Sequence, residues 1–148
     1  GVRTFEAAAF LRRCGADITR VRKMFRDDMA SYRAKAEAMR KAEVYRKEYA
    51  IAECPSDIES PTVLAAQTAN ELLDISGIKA SFVLTVYEGK IYLSARSIDE
   101  VNVQIIAEKL GGGGHINSAG AQFDHTNIQE VITILKETID EMIEEGDI

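Results

Sequence analysis

The stretch KASFVLTVYEGKIYLSAR, residues 79–96, decides the fold class of this chain. An apolar run over residues 82–87 is followed by the pair Glu88-Gly89, and then apolar and polar residues alternate strictly. This pattern predicts two antiparallel strands joined by a tight turn, the first covered on both faces and the second on one. In the second strand the alternation places Ser94 and Arg96 on the same face.

Strand-like and helical segments alternate on both sides of this hairpin. YAIAEC (49–54) and SAGAQF (118–123) read as strands, and apolar residues recur at helical spacing in three further segments. The predicted helices run from Pro61 to about Leu73, from Asn102 to Leu110, and from Ile128 to beyond Met142. We therefore expect an α/β fold over residues 51–148, a mixed sheet with flanking helices.

The part before the strand at residue 49 reads as two helices. Residues 5–13 predict a short helix closed by Gly15. From Thr19 to about Tyr49 the chain predicts one long amphipathic helix, preceding the sheet as a connector, because its apolar residues recur at steps of three or four. These are Val21, Phe25, Met29, Tyr32, Ala36 and Met39. The stripe covers less than three heptads, so packing against one globular body is favoured over a dimeric coiled coil.

Composition limits the classes of function. The formal net charge of −6 over 148 residues disfavours wide contact with a nucleic-acid backbone. Cys14 and Cys54 form no CxxC motif or Cys/His cluster, so we expect inert cytosolic thiols. The first residue is not Met, and no basic segment leads into an apolar run, so we expect a soluble piece of a longer protein.

Four consecutive glycines, Gly111, Gly112, Gly113 and Gly114, follow the predicted 102–110 helix and precede His115. A helix cap explains the first of them. The others favour a ligand lying against bare backbone, because glycine N–H groups form concave anion nests and each extra glycine costs folding entropy. His115 would then donate a hydrogen bond to a phosphoryl oxygen, or act as an imidazolium beside it. A structural histidine bonded to backbone is the alternative.

The strand carrying Arg96 adds a second set of candidates. Ser94, Arg96 and Ser97 offer a planar guanidinium and two hydroxyls, which suit bidentate binding of a phosphate. A surface salt bridge is the alternative for the arginine. We expect the short helix between this strand and the glycines to bring both segments to neighbouring edges of one cleft. Asn102 and Asn117 are weaker candidates, because asparagine is also an ordinary cap or turn residue.

The segment SARSIDEVNVQIIAEKLGGGGHINSAGAQ, residues 94–122, strongly resembles the signature of the DHHA1 domain, the substrate-binding partner of the DHH phosphoesterase domain. The start, GVRTFEAAAFLRRCGAD, resembles the end of the DHH domain in GdpP-type cyclic-di-AMP phosphodiesterases of Gram-positive bacteria. The resemblance implies three parts: residues 1–18 end an upstream DHH domain, 19–50 form a connector helix, and 51–148 form a DHHA1 substrate-binding domain.

The resemblance also implies a chemistry. In such enzymes the DHH domain holds two manganese ions and cleaves cyclic-di-AMP to linear pApA, and none of its metal ligands is in this sequence. Arg96 and Ser97 would grip a phosphate, residues 111–114 would pack against the nucleotide, and His115 would contact the phosphate near the metals as the catalytic residue. The parent would be a signalling protein of the cell membrane with this domain on the cytoplasmic side. We expect the chain alone to be inactive.

Two other hypotheses remain. Related domains occur in RecJ-type exonucleases and alanyl-tRNA synthetases, so the alternative function is a nucleic-acid-binding module. The net charge and the absence of an aromatic run argue against it. The third hypothesis is an assembly domain, a homodimer formed through the Tyr32 and Met39 face of the long helix and a sheet edge.

Overall fold

The computed structural model describes residues 1–13, 15, 19–20, 28–98 and 101–148. Its centre is a six-stranded sheet in the order β1-β2-β3-β4-β6-β5. The strands are β1 (Glu43–Tyr45), β2 (Tyr49–Glu53), β3 (Ala80–Tyr87), β4 (Lys90–Ser97), β5 (Gly113–His115) and β6 (Ser118–Phe123). Only β2 and β3 pair in parallel, and all other neighbours are antiparallel. The expected mixed sheet is confirmed.

The described helices are α1 (Val2–Arg13), α2 (Met29–Arg40), α3 (Pro61–Leu72), α4 (Val103–Lys109) and α5 (Ile128–Glu145). The helices α3, α4 and α5 confirm the segments predicted from helical spacing. The helix α3 forms the crossover between the parallel strands β2 and β3, as such a connection requires. Flanking helices thus lie on both faces of the sheet.

The predicted hairpin is the centre of the sheet. The strands β3 and β4 pair from Ala80 and Ser97 to Tyr87 and Lys90. Glu88 and Gly89 turn the chain with φ of 51° and 77°, the left-handed conformations that a two-residue hairpin turn favours. The strand β3 is buried from residue 80 to 85, whereas β4 alternates between buried and half-buried positions. The two faces of the sheet at β4 are therefore in different environments.

One face, here called the covered face, is packed along its length. It carries Phe82, Leu84, Leu93, Ala95 and Ala121, and the apolar sides of α4 and α5 cover it. The opposite face, here called the half-open face, carries one row of registered residues: Ala52, Val83, Ser94, Gly120 and Gly113. Helices α2 and α3 form a second core with the first two of these residues. On this face α3 covers β3 and borders β4.

The structure corrects the long connector helix. The helix α2 ends at Arg40, and residues 43–53, predicted as helix up to Tyr49, form the hairpin β1–β2. Lys136 pairs with Glu43 at 2.6 Å, and the Tyr45 hydroxyl donates to Asp140 at 2.8 Å. These contacts with α5 favour the strand over local helix propensity. Arg46 and Lys47 turn the chain with positive φ.

The first predicted helix is confirmed within α1, and Gly15 has the positive φ expected of a residue that ends a helix. Val21 and Phe25 of the predicted stripe, and Cys14, lie outside the described residues. Tyr32 is exposed on α2, but Met39 packs against the second core. The assembly hypothesis therefore loses half of its proposed helix face.

We predict that Cys54 is protected from thiol reagents. Its side chain is 2% exposed and donates to the Thr68 hydroxyl at 3.4 Å, and burial raises the pKa of the thiol. In a Cys14→Ser variant, the reaction of Cys54 with Ellman's reagent at pH 8 is expected to be at least about a hundredfold slower in buffer than in urea, because opening the core costs several kcal/mol.

The raised pKa of the Cys54 thiol also makes the stability of the fold depend on pH. A raised thiol pKa favours the neutral form in the folded state, so its contribution to stability is complete below the unfolded pKa of about 8.5 and is lost as pH rises above it. Equal labelling rates in buffer and in urea would contradict the burial of Cys54.

Candidate ligand-binding face

The half-open face ends in a patch that none of the described helices covers. Beyond α3, the side chains that β4, β6 and β5 present on this face are half-buried or exposed. The alternate side chains of β4 and β6 point the other way and pack into the covered face. Strand register arranges the patch in rows across the three strands. This open part of the sheet contains several of the residues that the sequence singled out.

The first row is Arg96, Ser118 and His115. Arg96 pairs with Ser118 across β4 and β6, and Ser118 pairs with His115 across β6 and β5. Because neighbouring strands lie about 4.8 Å apart, the guanidinium and imidazole residues begin about 10 Å from each other with a hydroxyl between them. No described residue forms a hydrogen bond with the side chain of His115 or Ser118. We call these three residues the donor row.

The second row has almost no side chains. Ser94 pairs with Gly120, and Gly120 pairs with Gly113. Ser94 is half-buried beside the border of α3, and its hydroxyl has no hydrogen-bond partner among the described residues. The row is therefore a flat strip of backbone with one hydroxyl at its end. We call it the bare row.

Arg96 is the main electrostatic feature of the patch. Its Nη1 donates to the carbonyl oxygens of Ala95 at 2.9 Å and Ala119 at 3.4 Å. No described carboxylate pairs with it, and burial lowers the pKa of the guanidinium. Because arginine stays protonated in proteins, a desolvated positive charge remains on this face, with further N–H groups available for an anion. The salt-bridge alternative does not apply among the described residues.

The four consecutive glycines lie in different structural environments. An added Cβ at Gly112 would lie 2.0 Å from the Gly120 carbonyl oxygen, and one at Gly114 would lie 2.5 Å from the Ala119 Cα. These two glycines let β5 approach β6 closely. Gly113 has neither a positive φ nor an atom within 4 Å of an added Cβ. Packing therefore does not explain the third glycine, which belongs to the bare row.

The expected anion nest is not formed. The N–H groups of Gly111 and Gly112 donate to the carbonyl oxygens of Glu108 at 3.1 Å and Ala107 at 2.7 Å, which end α4. Residues 113–115 are an edge strand paired with β6. Successive N–H groups therefore do not converge on one point, and the glycines contribute a flat surface rather than a concave one.

Three of the sequence candidates serve the frame instead of the patch. Ser97 is buried on the covered face, where its hydroxyl donates to the Val101 carbonyl at 2.6 Å and accepts from the Asn117 amide at 2.9 Å. Asn102 caps α4 by accepting from the Ile105 N–H. The expected phosphate contact of Ser97 does not fit this geometry, because Ser97 and Arg96 point to opposite faces of β4.

Sequence reasoning missed Ser118 and Gly120. Both lie in SAGAQF, which was read only as a strand, and their importance comes from pairing with residues of β4 and β5. Period-two alternation in β6 identifies the face they share, but it does not identify their neighbours. From the sequence we expect β4 and the glycines at neighbouring edges of one cleft, whereas in the structure β6 lies between them.

A second basic region lies on the far side of the sheet. Arg46, Lys47 and Lys79 line a cleft of about 630 Å³ beside the β1–β2 turn. Two of these cations already have acidic partners: Arg46 lies 2.8 Å from Asp140, and Lys79 lies 3.4 Å from Glu48. Its charge is thus largely compensated, unlike that of Arg96.

The described residues form neither a metal cluster nor a membrane-spanning helix. Within residues 1–13, 15, 19–20, 28–98 and 101–148, no three His, Cys, Asp or Glu side chains come together as a metal site. The described residues thus do not fit a manganese centre. Over this part of the chain, no helix combines the length and the apolar character needed to cross a bilayer.

Comparison with known proteins identifies relatives of the whole chain. The family model of the DHHA1 domain matches residues 47–141. The chain is 42% identical over 99% of its length to cyclic-di-AMP phosphodiesterase GdpP of Geobacillus thermodenitrificans, and 40% identical over 95% to cyclic-di-AMP phosphodiesterase PdeA of Listeria monocytogenes. It spans 22% of the length of each of these relatives.

Solved structures share the fold. An exopolyphosphatase-related protein from Bacteroides fragilis superposes with a TM-score of 0.77 at 18% identity, covering 96% of this chain and 44% of that one. RecJ from Thermus thermophilus superposes with a TM-score of 0.55 at 16% identity, covering 84% and 18%. At these identities the likeness concerns the fold alone.

We predict unequal effects of alanine on stability at two neighbouring glycines. Gly114→Ala is expected to destabilise the fold by roughly 1–3 kcal/mol or more, because the new methyl group overlaps the β6 backbone at a positive φ. Gly113→Ala is expected to change stability by less than about 0.5 kcal/mol. Urea unfolding followed by circular dichroism measures both, and equal losses would refute the assignment of Gly113 to an open row.

Proposed function

The chain belongs to the DHHA1 domain family, and from this premise we propose that it is the substrate-binding portion of a cyclic-di-AMP phosphodiesterase. The intact protein would hydrolyse cyclic-di-AMP to linear pApA. Support comes from the relatives, which are cyclic-di-AMP phosphodiesterases and align along almost the whole chain. The chain is about a fifth of their length, so the remaining parts of the enzyme are proposed from them.

The half-buried guanidinium of Arg96, which pairs with no carboxylate of the described residues, is the observation that carries the proposal. A desolvated cation without a carboxylate is costly in the free protein, and a phosphate would restore the lost solvation with charge-assisted hydrogen bonds. Ser118 and His115 continue the donor row from that point. A phosphodiester bound along this row would meet a guanidinium, a hydroxyl and an imidazole in sequence.

The reaction assigns these groups distinct tasks. To open cyclic-di-AMP, water attacks phosphorus, the bond to the 3′ oxygen breaks, and that oxygen takes a proton. Arg96 and Ser118 hold the phosphoryl oxygens, and His115 donates to the oxygen on which negative charge develops. The bare row lets the sugar approach the sheet without meeting a side chain. Ser97, Asn102 and Asn117 keep the strand ends and α4 in place.

The proposed enzyme divides its work between domains. Residues 1–18 would end a DHH domain in cis, α2 would belong to the connection, and the DHHA1 domain would begin near the family match at residue 47. We place the manganese ions of the intact enzyme in the DHH domain, in line with the resemblance. The parent would be a signalling protein at the cell membrane with this domain on its cytoplasmic side.

We predict that the chain binds cyclic-di-AMP and pApA weakly through the donor row. In an amide NMR titration, shifts are expected on β5, on β6 and around Arg96. Arg96→Ala is expected to lower the affinity at least about tenfold, because one charge-assisted contact contributes about 1.5–3 kcal/mol. Arg40→Ala is the matched control, since it removes an exposed arginine that pairs with Glu37 on α2.

The outcomes separate the hypotheses. Equal losses in the two arginine variants would indicate a general charge effect and oppose the proposed site. Tight, salt-sensitive binding of tRNA or single-stranded DNA by the chain would instead support the nucleic-acid-binding module.

We also predict that the chain alone does not convert cyclic-di-AMP to pApA when manganese is added. Phosphodiester hydrolysis has a very high barrier, and the described residues supply phosphate contacts without a metal-ligand set. Anion-exchange chromatography of the reaction mixture measures the product. Turnover that scales with protein concentration and disappears in His115→Ala would contradict the proposed division of work.

A further inference from the structure

The half-open patch continues past the bare row to a third pair of residues. Tyr92 of β4 pairs with Gln122 of β6, two positions from Ser94 and Gly120 along their strands. Gln122 is exposed, and its amide has no hydrogen-bond partner among the described residues. Tyr92 is half-buried, and its ring lies 6.1 Å from that of Tyr87 at an angle of 59°. The third row thus forms a polar end of the patch, with one aromatic ring held by its contact with Tyr87.

We propose that Gln122, supported by Tyr92, reads the nucleobase of the bound dinucleotide and selects adenine over guanine. This inference rests on the proposed function, because it requires a phosphate on the donor row. Under this proposal the third row, which is the remaining part of the patch, binds the base, and Gln122 determines the base preference.

The spacing of the rows fits a nucleotide. Arg96 and Tyr92 are four residues apart on β4, and Ser118 and Gln122 are four apart on β6, so the outer rows lie about 13 Å apart at 3.3 Å per residue. This length is comparable with an extended nucleoside monophosphate. Between the two ends lies the bare row, where a sugar and ring system can rest on backbone.

The chemistry of Gln122 matches adenine. The edge of adenine offers one donor, the N6 amino group, next to one acceptor, a ring nitrogen. A glutamine amide offers one acceptor and one donor at the same spacing, and bidentate pairing of Gln with adenine is a recurrent contact. The guanine edge at N1 and N2 offers two adjacent donors, which two carboxylate oxygens match better than an amide does.

Tyr92 fixes where the base lies. Its contact with Tyr87 restrains the ring beside Gln122, and an aromatic ring next to a bound base adds stacking surface. Among the described residues, the opposite end of the patch, beyond Arg96, presents the exposed apolar side chains of Ile98 and Ile116. The bare row and the Gln122 amide lie on the other side of Arg96, so the third row is the better position for the base.

Base preference tests the inference directly. Binding of pApA and pGpG to the 148-residue chain is measured by amide NMR titration for the wild type and for Gln122→Glu. The wild type is expected to prefer pApA on the order of tenfold, since a bidentate pair contributes about 1–3 kcal/mol of discrimination. Gln122→Glu is expected to reverse the ratio in favour of pGpG, because the carboxylate accepts from two guanine donors.

The test compares the ratio of the two affinities, because the new negative charge is expected to weaken the binding of pApA and of pGpG alike. Gln129→Glu on α5 is the matched control; it makes the same chemical change on the helix that covers the other face and is expected to leave the ratio unchanged. An unchanged ratio in Gln122→Glu, with binding still lost in Arg96→Ala, would overturn the role of Gln122 and leave the proposed function standing. Failure of the wild type to bind either dinucleotide would overturn both.

Discussion

The pairing of β4 with β3 on one side and with β6 on the other is the constraint on which the rest of the structure depends. Both ladders are antiparallel, so they fix which residues lie beside one another on each face. On the covered face they align Phe82 with Ala95 and Ala119 to form the core. On the half-open face the same ladders align Arg96 with Ser118. A slip of one residue would exchange the two faces and remove both the core and the site.

Unequal covering of the sheet gives the molecule both its stability and the surface that we propose binds the ligand. Helices α4 and α5 bury the covered face, and α2 and α3 bury half of the other. The two cores can therefore support a patch that does not contribute to packing. This explains how Arg96, desolvated and without a carboxylate partner among the described residues, persists in a stable fold. Unfavourable electrostatics of this kind concentrate at functional sites, because the ligand completes them.

Local patterns predicted most of the elements, and the errors come from contacts between distant residues. The hairpin 80–97 and the helix α4 follow from alternation, turn chemistry and helical spacing. The strand β1 does not, because residues of α5 nearly a hundred positions later hold it in place. The sequence identified Arg96 and His115, but Ser118 becomes visible only when register places it between them. For Ser97 the signal was present: alternation in β4 already put it on the face opposite Arg96.

The alternation within β6 separates two roles along five consecutive residues. Ser118, Gly120 and Gln122 face the patch, whereas Ala119 and Ala121 are packed into the core. Gly120 also serves the fold, because an added Cβ there would lie 2.8 Å from the Leu93 carbonyl oxygen. Substitutions at Ser118 and Gln122 are expected to change the proposed ligand contacts and leave the fold intact. Those at the odd positions change whether the domain folds. Preference for the proposed ligand can therefore drift through positions 118 and 122 among descendants of this domain, while Gly120 and the odd positions stay the same and the scaffold is kept at every step.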